Sequence, residues 1–257
     1  MSSITFNIKN SIAYITLNRP EKYNAFNREM GLALQTALNE CDNSNIRSVY
    51  ITGSGKAFSA GQDLAEVIDP EGPGMKKILS EHYNPIIYKI RNLNKPVIAA
   101  VNGVAAGAGA NIALCCDIVV ASQSASFIQA FSKIGLIPDS GGTYFLPRLV
   151  GLQKATAFMM LGDKISAGEA ERIGMIYKCY PDDIFLKEAE SIATTLAALP
   201  TKGLAYTKMA LNKSMEHSLE QQLQTEDELQ QKAAVTKDFA EGVAAFLEKR
   251  KPTFGGE

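Results

Sequence analysis

Histidine is scarce in this chain. Two are present in 257 residues, His82 and His217, and no cysteine, histidine or carboxylate cluster shows metal-ligand spacing, so no zinc site built by the protein is expected. The four cysteines, Cys41, Cys115, Cys116 and Cys179, include no CxxC pair, and the adjacent Cys115 and Cys116 do not staple a fold. Buried thiols in a reducing, cytoplasmic setting fit that pattern. Net charge is nearly absent too. The formal value of -1 gives neither nucleic acid nor anionic lipid an electrostatic reason to bind. The first residues lack the basic flank and apolar core of a signal peptide. One uncharged stretch, 97–116, approaches the ~20 apolar residues a membrane span needs. Asn102, Asn111 and three glycines divide it into a strand, a turn and a short Ala-rich helix, so a buried core segment is expected rather than a span.

What is present is an ordinary globular composition, 46% hydrophobic and 21% charged, with room for one large domain or a domain plus an appendage. Residues 4–8 and 12–17 alternate around Lys9-Asn10-Ser11, which predicts a hairpin. Asn27 is placed to cap a helix running to about Cys41. Strands are expected at 49–51, 97–101 and 118–121, with a helix over 75–93 whose Ile78, Ile86 and Ile90 share a face. This alternation implies α/β architecture. Beyond Ser166, where Ser166-Ala167-Gly168-Glu169 has the form of a capping box, one further strand is expected at 175–180. Amphipathic helices follow at about 184–199, 202–215, 219–233 and 238–250; they suit either a packed C-terminal cap or a subunit interface.

Two phosphate-binding patterns fail. Thr52-Gly53-Ser54-Gly55-Lys56 is followed by Ala57 and has Tyr50 where the first glycine of a Walker loop belongs. Residues 103–109 follow a strand without GxGxxG spacing. Pro138-Asp139-Ser140-Gly141-Gly142 echoes a serine-protease segment, but neither histidine has the context of a triad base. Asp139 itself lies where the apolar run 134–137 gives way to a predicted helix over 141–149. A carboxylate there meets helix-terminal N–H groups and the positive end of the helix dipole, which favour its ionised form. Local sequence leaves two readings open, a helix cap worth ~1 kcal/mol and a catalytic base.

Four blocks occur in one order: Leu17-Asn18-Arg19-Pro20, Phe58-Ser59-Ala60-Gly61-Gln62-Asp63-Leu64, residues 101–109 and residues 135–143. Together they resemble the crotonase (enoyl-CoA hydratase/isomerase) superfamily over essentially the whole chain. The resemblance implies a ClpP-like α/β spiral of ββα units, a core over 1–195 and a helical oligomerisation region over 196–257. It also implies an acyl-CoA substrate, no cofactor beyond that CoA, and a homotrimer or a dimer of trimers. The family pattern assigns the Ala60 and Ala108 N–H groups to an oxyanion hole, in keeping with small residues that let backbone approach a carbonyl. It places Lys22, Tyr23, Ala25, Gln62, Asp63 and Leu64 near the CoA moiety. Lys249 and Lys251 read as ordinary solvated charges, with a role near the CoA phosphates as the second reading.

The departures from the pattern carry as much information. The two glutamates that handle water in the hydratases read Asn111 and Phe131 here, so water addition is disfavoured. Asp139 stands where isomerases of the family present a carboxylate. Residues 103–110 and 130–139 are most similar to isomerases acting on a ring epoxide, 1,2-epoxyphenylacetyl-CoA, in phenylacetate degradation. That activity, like a Δ3 to Δ2 enoyl-CoA shift, needs one base that returns the proton it takes. Phe131 would exclude water and hold the ring. Asn111 either orients substrate or satisfies a buried helix start, and Tyr144 either lines the acyl pocket or belongs to the core. A fatty-acid Δ3,Δ2-enoyl-CoA isomerase and a non-catalytic acyl-CoA-binding scaffold remain as alternatives.

Overall fold

In the computed structural model, which describes residues 2–257, the N-terminal hairpin pairs β1 (Ile4–Lys9) with β2 (Ile12–Leu17). Asn10 and Ser11 both have positive φ, the backbone a tight two-residue turn requires. Helix α1 (Arg28–Glu40) starts as expected: Asn27 Oδ1 accepts the Met30 N–H at 3.0 Å. Strand β3 (Ser48–Gly53) is followed by β4 (Ala57–Ser59) and the short helices α2 (Leu64–Ile68) and α3 (Gly74–Lys77).

The helix expected over 75–93 is interrupted. A π-helical turn, Ile78–Tyr83, separates α3 from α4 (Asn84–Asn92). Pro85 has no N–H to give the Glu81 carbonyl, and the Gln35 side chain donates to that carbonyl instead, at 2.7 Å. The anticipated apolar face is kept, with Ile78, Ile86 and Ile90 all buried.

Two further strand pairs follow the β3–β4 plan, and a third, made by the last two strands, reverses its order. Strands β5 (Val97–Val101) and β6 (Val104–Ala106) lead into α5 (Ala108–Leu114), and β7 (Ile118–Ser122) into β8 (Ser126–Ile128). After α6 (Gly142–Val150) and α7 (Leu152–Leu161) come β9 (Lys164–Ser166), α8 (Ala167–Arg172) and β10 (Lys178–Tyr180). One strand of each pair joins a six-stranded sheet, β1-β2-β3-β5-β7-β10, and the other a four-stranded sheet, β4-β6-β8-β9. This repeated division is the expected spiral of ββα turns.

Strand alternation divides the core. Val49, Ile51, Val97, Ala99, Val101 and Val119 point into the main cluster with α1 and α4, whereas Tyr50, Ile98, Ala100 and Val120 point to the opposite face. There α9 (Phe185–Ala198) lays down Phe185, Ala189, Ala193 and Ala197 at four-residue spacing, the alanines permitting close approach. Residue 195, expected to end the core, lies within this helix. Helices α10 (Thr201–Ser214), α11 (Leu219–Ala234) and α12 (Lys237–Leu247) complete the chain close to the expected ranges.

Two smaller expectations are corrected. The strand anticipated from 175 begins at Lys178, because the Met175 and Ile176 N–H groups both turn back to the Ala170 carbonyl of α8. The Ser166 box is half formed: its hydroxyl accepts the Glu169 N–H, but Glu169 turns to Arg172. Among the described residues, no helix is long and apolar enough to cross a membrane.

Candidate active site

Close backbone contact brings the two glycine-bearing blocks together. Gly61 has φ +88°, and a Cβ there would stand 2.8 Å from the Ala106 carbonyl oxygen. A Cβ on Gly109 would stand 2.6 Å from that of Ser59. Neither position has room for a side chain. The Ser59 hydroxyl donates to the Asn24 carbonyl (2.8 Å) and accepts the Gly61 N–H (3.1 Å). Asn24, fully buried, donates to the Ser54 and Ala57 carbonyls at 2.9 and 2.7 Å and so pins the 22–25 loop to this edge.

One expectation changes here. The Ala60 N–H already donates to the Tyr23 carbonyl at 2.9 Å, which removes it as an oxyanion donor. The N–H groups of Gln62 and of Ala108, the first residue of the uncapped α5, have no acceptor among the described residues. A Cβ on Gly61 would stand 3.4 Å from the Ala108 nitrogen.

These amides border a cavity of about 200 Å³. Its walls are mainly apolar, with Leu64, Val67, Met75, Ile78, Phe131 and Leu136, and its polar side chains are Gln62, Tyr83, Lys133 and Asp139. Tyr83 comes from the π-turn. Its hydroxyl donates to Gln62 Oε1 at 2.8 Å, and Gln62 Nε2 donates to Glu66 at 2.8 Å, so the amide is held in one orientation. Burial pushes the Tyr83 phenol well above its usual pKa, which keeps it protonated.

Asp139 does not cap α6. Gly141 precedes that helix, and no side chain accepts its first N–H groups. The Asp139 carbonyl, not its carboxylate, accepts the Gly142 N–H at 2.8 Å. Asp139 Oδ1 accepts from the Ser140 hydroxyl at 2.8 Å. The direction of titration is therefore the reverse of that expected from a helix dipole: burial raises the Asp139 pKa, with the Ser140 hydrogen bond opposing it. A carboxylate poised this way is a stronger base when ionised and a group able to hold a proton between two transfers.

Asn111 supports Asp139 and does not line the cavity. It is 1% exposed; its Nδ2 donates to the Asp139 carbonyl at 2.9 Å, and its Oδ1 accepts from Gln129 Nε2 at 2.8 Å. A Cβ on Gly142 would stand 2.4 Å from Asn111 Nδ2, so the start of α6 rests directly on this amide.

The sequence profile described as enoyl-CoA hydratase/isomerase matches residues 7–257. The chain belongs to this crotonase family. It is 43% identical to the 1,2-epoxyphenylacetyl-CoA isomerase of Escherichia coli (strain K12), with both chains covered in full. It is 34% identical to the trans-2-decenoyl-[acyl-carrier-protein] isomerase of Streptococcus mutans, over 99% of this chain and 98% of that one. The crystal structure of enoyl-CoA hydratase from Bacillus anthracis superposes with a TM-score of 0.92 at 32% identity, covering 99% and 100% of the two chains. The family thus includes both reaction types among the relatives of this chain, and the cavity's own residues must discriminate between them.

Of the residues singled out in the sequence, the fold brings Ala60, Gln62, Leu64, Ala108, Phe131 and Asp139 to this one cavity. Asp63 is engaged elsewhere: it pairs with Arg19 at 3.0 Å and accepts the Ala65 N–H at the start of α2. Lys22 and Tyr23 are exposed on the adjoining loop, while Ala25 is buried and gives its carbonyl to Arg19. Tyr144 does not reach the cavity. It faces a separate groove of about 500 Å³ between α4, α6 and α10, with the Arg148 guanidinium 3.8 Å above its ring. Sequence reasoning missed Tyr83, Gln129, Lys133 and Ser140. The first three carry no local signal, whereas Ser140 sits inside the most informative segment, next to the carboxylate it bonds. Among the described residues no cluster of metal-ligating side chains occurs.

Proposed function

We propose that this family member is a CoA-thioester isomerase that converts 1,2-epoxyphenylacetyl-CoA to oxepin-CoA and, by the same proton shift, 3-enoyl-CoA to 2-enoyl-CoA. The observation that carries this reading is that Asp139 is the one carboxylate among the described residues lining the cavity. Hydration calls for a second group to manage water. The positions that could have supplied one hold Phe131, an apolar wall, and Asn111, occupied with the Asp139 backbone.

The thioester carbonyl oxygen would lie between the Gln62 and Ala108 N–H groups. As the enolate forms, negative charge develops on that oxygen, and each preorganised donor contributes about 2.7–4 kcal/mol. With the epoxide, the C–C bond shared by its two rings first opens electrocyclically to give the oxepin valence isomer, so that both substrates present a β,γ double bond. The Asp139 carboxylate takes the α-proton, the C–H electrons enter the enolate, and the double bond moves by one position into conjugation with the thioester. The same carboxyl then returns the proton two carbons away, restoring Asp139 and the thioester carbonyl. Phe131 and the apolar walls exclude water from the intermediate. The exposed Lys22 and Tyr23 and the cavity-lining Lys133 would contact the CoA portion. Exposed Leu211, Leu223 and Phe246 on the C-terminal helices support assembly of several copies.

The test is turnover of 1,2-epoxyphenylacetyl-CoA and of a 3-enoyl-CoA by wild type and Asp139→Asn, with crotonyl-CoA hydration measured alongside. Isomerisation abolished by the substitution, with no hydration by wild type, is the expected result. Full activity in Asp139→Asn, or efficient hydration by wild type, would overturn the assignment. Turnover of the enoyl substrate but not of the epoxide would identify a fatty-acyl isomerase.

A further inference from the structure

Ser140 is buried, at 2% exposure, and it has φ +51°. The left-handed region is strained for a residue with a Cβ, and Gly141, which follows at φ +73°, is the residue type that occupies it freely. Two consecutive left-handed residues fold the chain back on itself, which brings the Ser140 hydroxyl over the preceding side chain. It donates its single proton to Asp139 Oδ1 at 2.8 Å. No other side chain among the described residues hydrogen-bonds the Asp139 carboxylate. The Asn111 amide meanwhile holds the Asp139 carbonyl at 2.9 Å. The carboxylate is thus restrained at its backbone and at one of its two oxygens.

We infer that Ser140 is a positioning residue that commits Oδ1 of Asp139 to a hydrogen bond, so that the other oxygen, Oδ2, both removes and returns the proton. This rests on Asp139 being the base proposed above. An oxygen already accepting a hydrogen bond is the less basic of the pair, so the incoming proton goes to Oδ2. A lone pair of Oδ2 takes the α-proton as the C–H electrons enter the enolate. The far end of the conjugated system then takes that proton back from Oδ2, and the carboxylate is regenerated. Because the carboxyl does not rotate between the two steps, the proton stays on Oδ2 among the apolar walls of the cavity, and its exchange with solvent is suppressed. Ser140 also opposes the upward pull of burial on the Asp139 pKa, so its loss moves that pKa further up.

The experiment compares wild type, Ser140→Gly, Ser140→Ala and Asp139→Asn on 3-hexenoyl-CoA, in H2O across pH and in D2O with the product analysed for deuterium. Glycine removes the hydroxyl and the positive-φ strain together, so Ser140→Gly tests the idea even if Ser140→Ala folds poorly. Expected for Ser140→Gly is a kcat lower by about 10- to 100-fold, the scale of a misplaced catalytic group, with KM within about twofold. The alkaline-rising limb of kcat moves to higher pH, and more solvent deuterium enters the product. Wild-type kcat, pH limb and deuterium content in Ser140→Gly, with Asp139→Asn inactive, would overturn the role of Ser140 alone. An active Asp139→Asn would instead remove the reading on which it depends.

Discussion

Replacing Asn111 with alanine isolates the strut beneath Asp139. The substitution deletes the Nδ2 bond to the Asp139 carbonyl and the acceptor for Gln129 Nε2, 2.9 and 2.8 Å long. Gln129 is fully buried and its Oε1 already has no partner, so the change leaves the whole amide without one. An orphaned buried polar group costs about 1–3 kcal/mol and a lost hydrogen bond about 1 kcal/mol more. The expected destabilisation is therefore about 2–4 kcal/mol, which for a chain of this size lowers Tm by ~5–15 °C. Thermal and urea unfolding would measure it, with kcat falling as Asp139 loses its backbone anchor. Gly142→Ala supplies an internal check, because its Cβ would stand 2.4 Å from Asn111 Nδ2 and overpacking costs about 1–3 kcal/mol. In the double variant the space vacated by Asn111 accepts the new methyl, so the combined loss should fall short of the sum by at least ~1 kcal/mol. A Tm within about 2 °C of wild type for Asn111→Ala, well short of the shift expected from its lost bonds, or strict additivity with Gly142→Ala, would refute the strut.

Two further outcomes follow from the same geometry. Asp139→Asn should stabilise the protein at neutral pH, by on the order of 1 kcal/mol, the usual gain when a strained functional group is removed. Burial raises the Asp139 pKa in the folded state, so from the ordinary carboxylate range up to that raised value the folded protein holds more protons than the unfolded chain. Wild-type stability accordingly falls as pH rises through that window, and the advantage of the Asp139→Asn variant should vanish below it; an equal or lower Tm for the variant at neutral pH would contradict this. Gly61→Ala should cost about 2–5 kcal/mol, since it places a Cβ 2.8 Å from the Ala106 carbonyl at φ +88°. By displacing the Gln62 N–H it should also lower kcat by about 10²–10³, the worth of one oxyanion donor. Steady-state kinetics at saturating substrate would check that loss, and a near-wild-type kcat would argue against the Gln62 amide.

Much of the fold was legible because its causes are local. The hairpin at Asn10 and Ser11, the Asn27 cap and the C-terminal helices depend on residues within a turn or two of one another. The strands β4, β6, β8 and β9 were not read as strands, since segments of three residues carry no usable period and become strands only when paired across the spiral. The π-turn had a visible cause in Pro85, but its stabiliser, Gln35, comes from another helix.

At the site the division is similar. Sequence by itself determined which chemistry was available: small residues in two ordered blocks, one acidic side chain in the last, and Asn111 and Phe131 where further carboxylates would change the reaction. Tertiary structure decided how those groups are used. It spent the Ala60 N–H on the Tyr23 carbonyl and left that of Gln62 free, turned Tyr144 away from the cavity, and seated Asn111 under the Asp139 backbone. It also reversed the electrostatic expectation for Asp139, because the desolvation imposed by distant parts of the chain outweighs any local helix terminus. Residue type sets what a group is able to do, but hydrogen-bond partners and burial are properties of the packed chain.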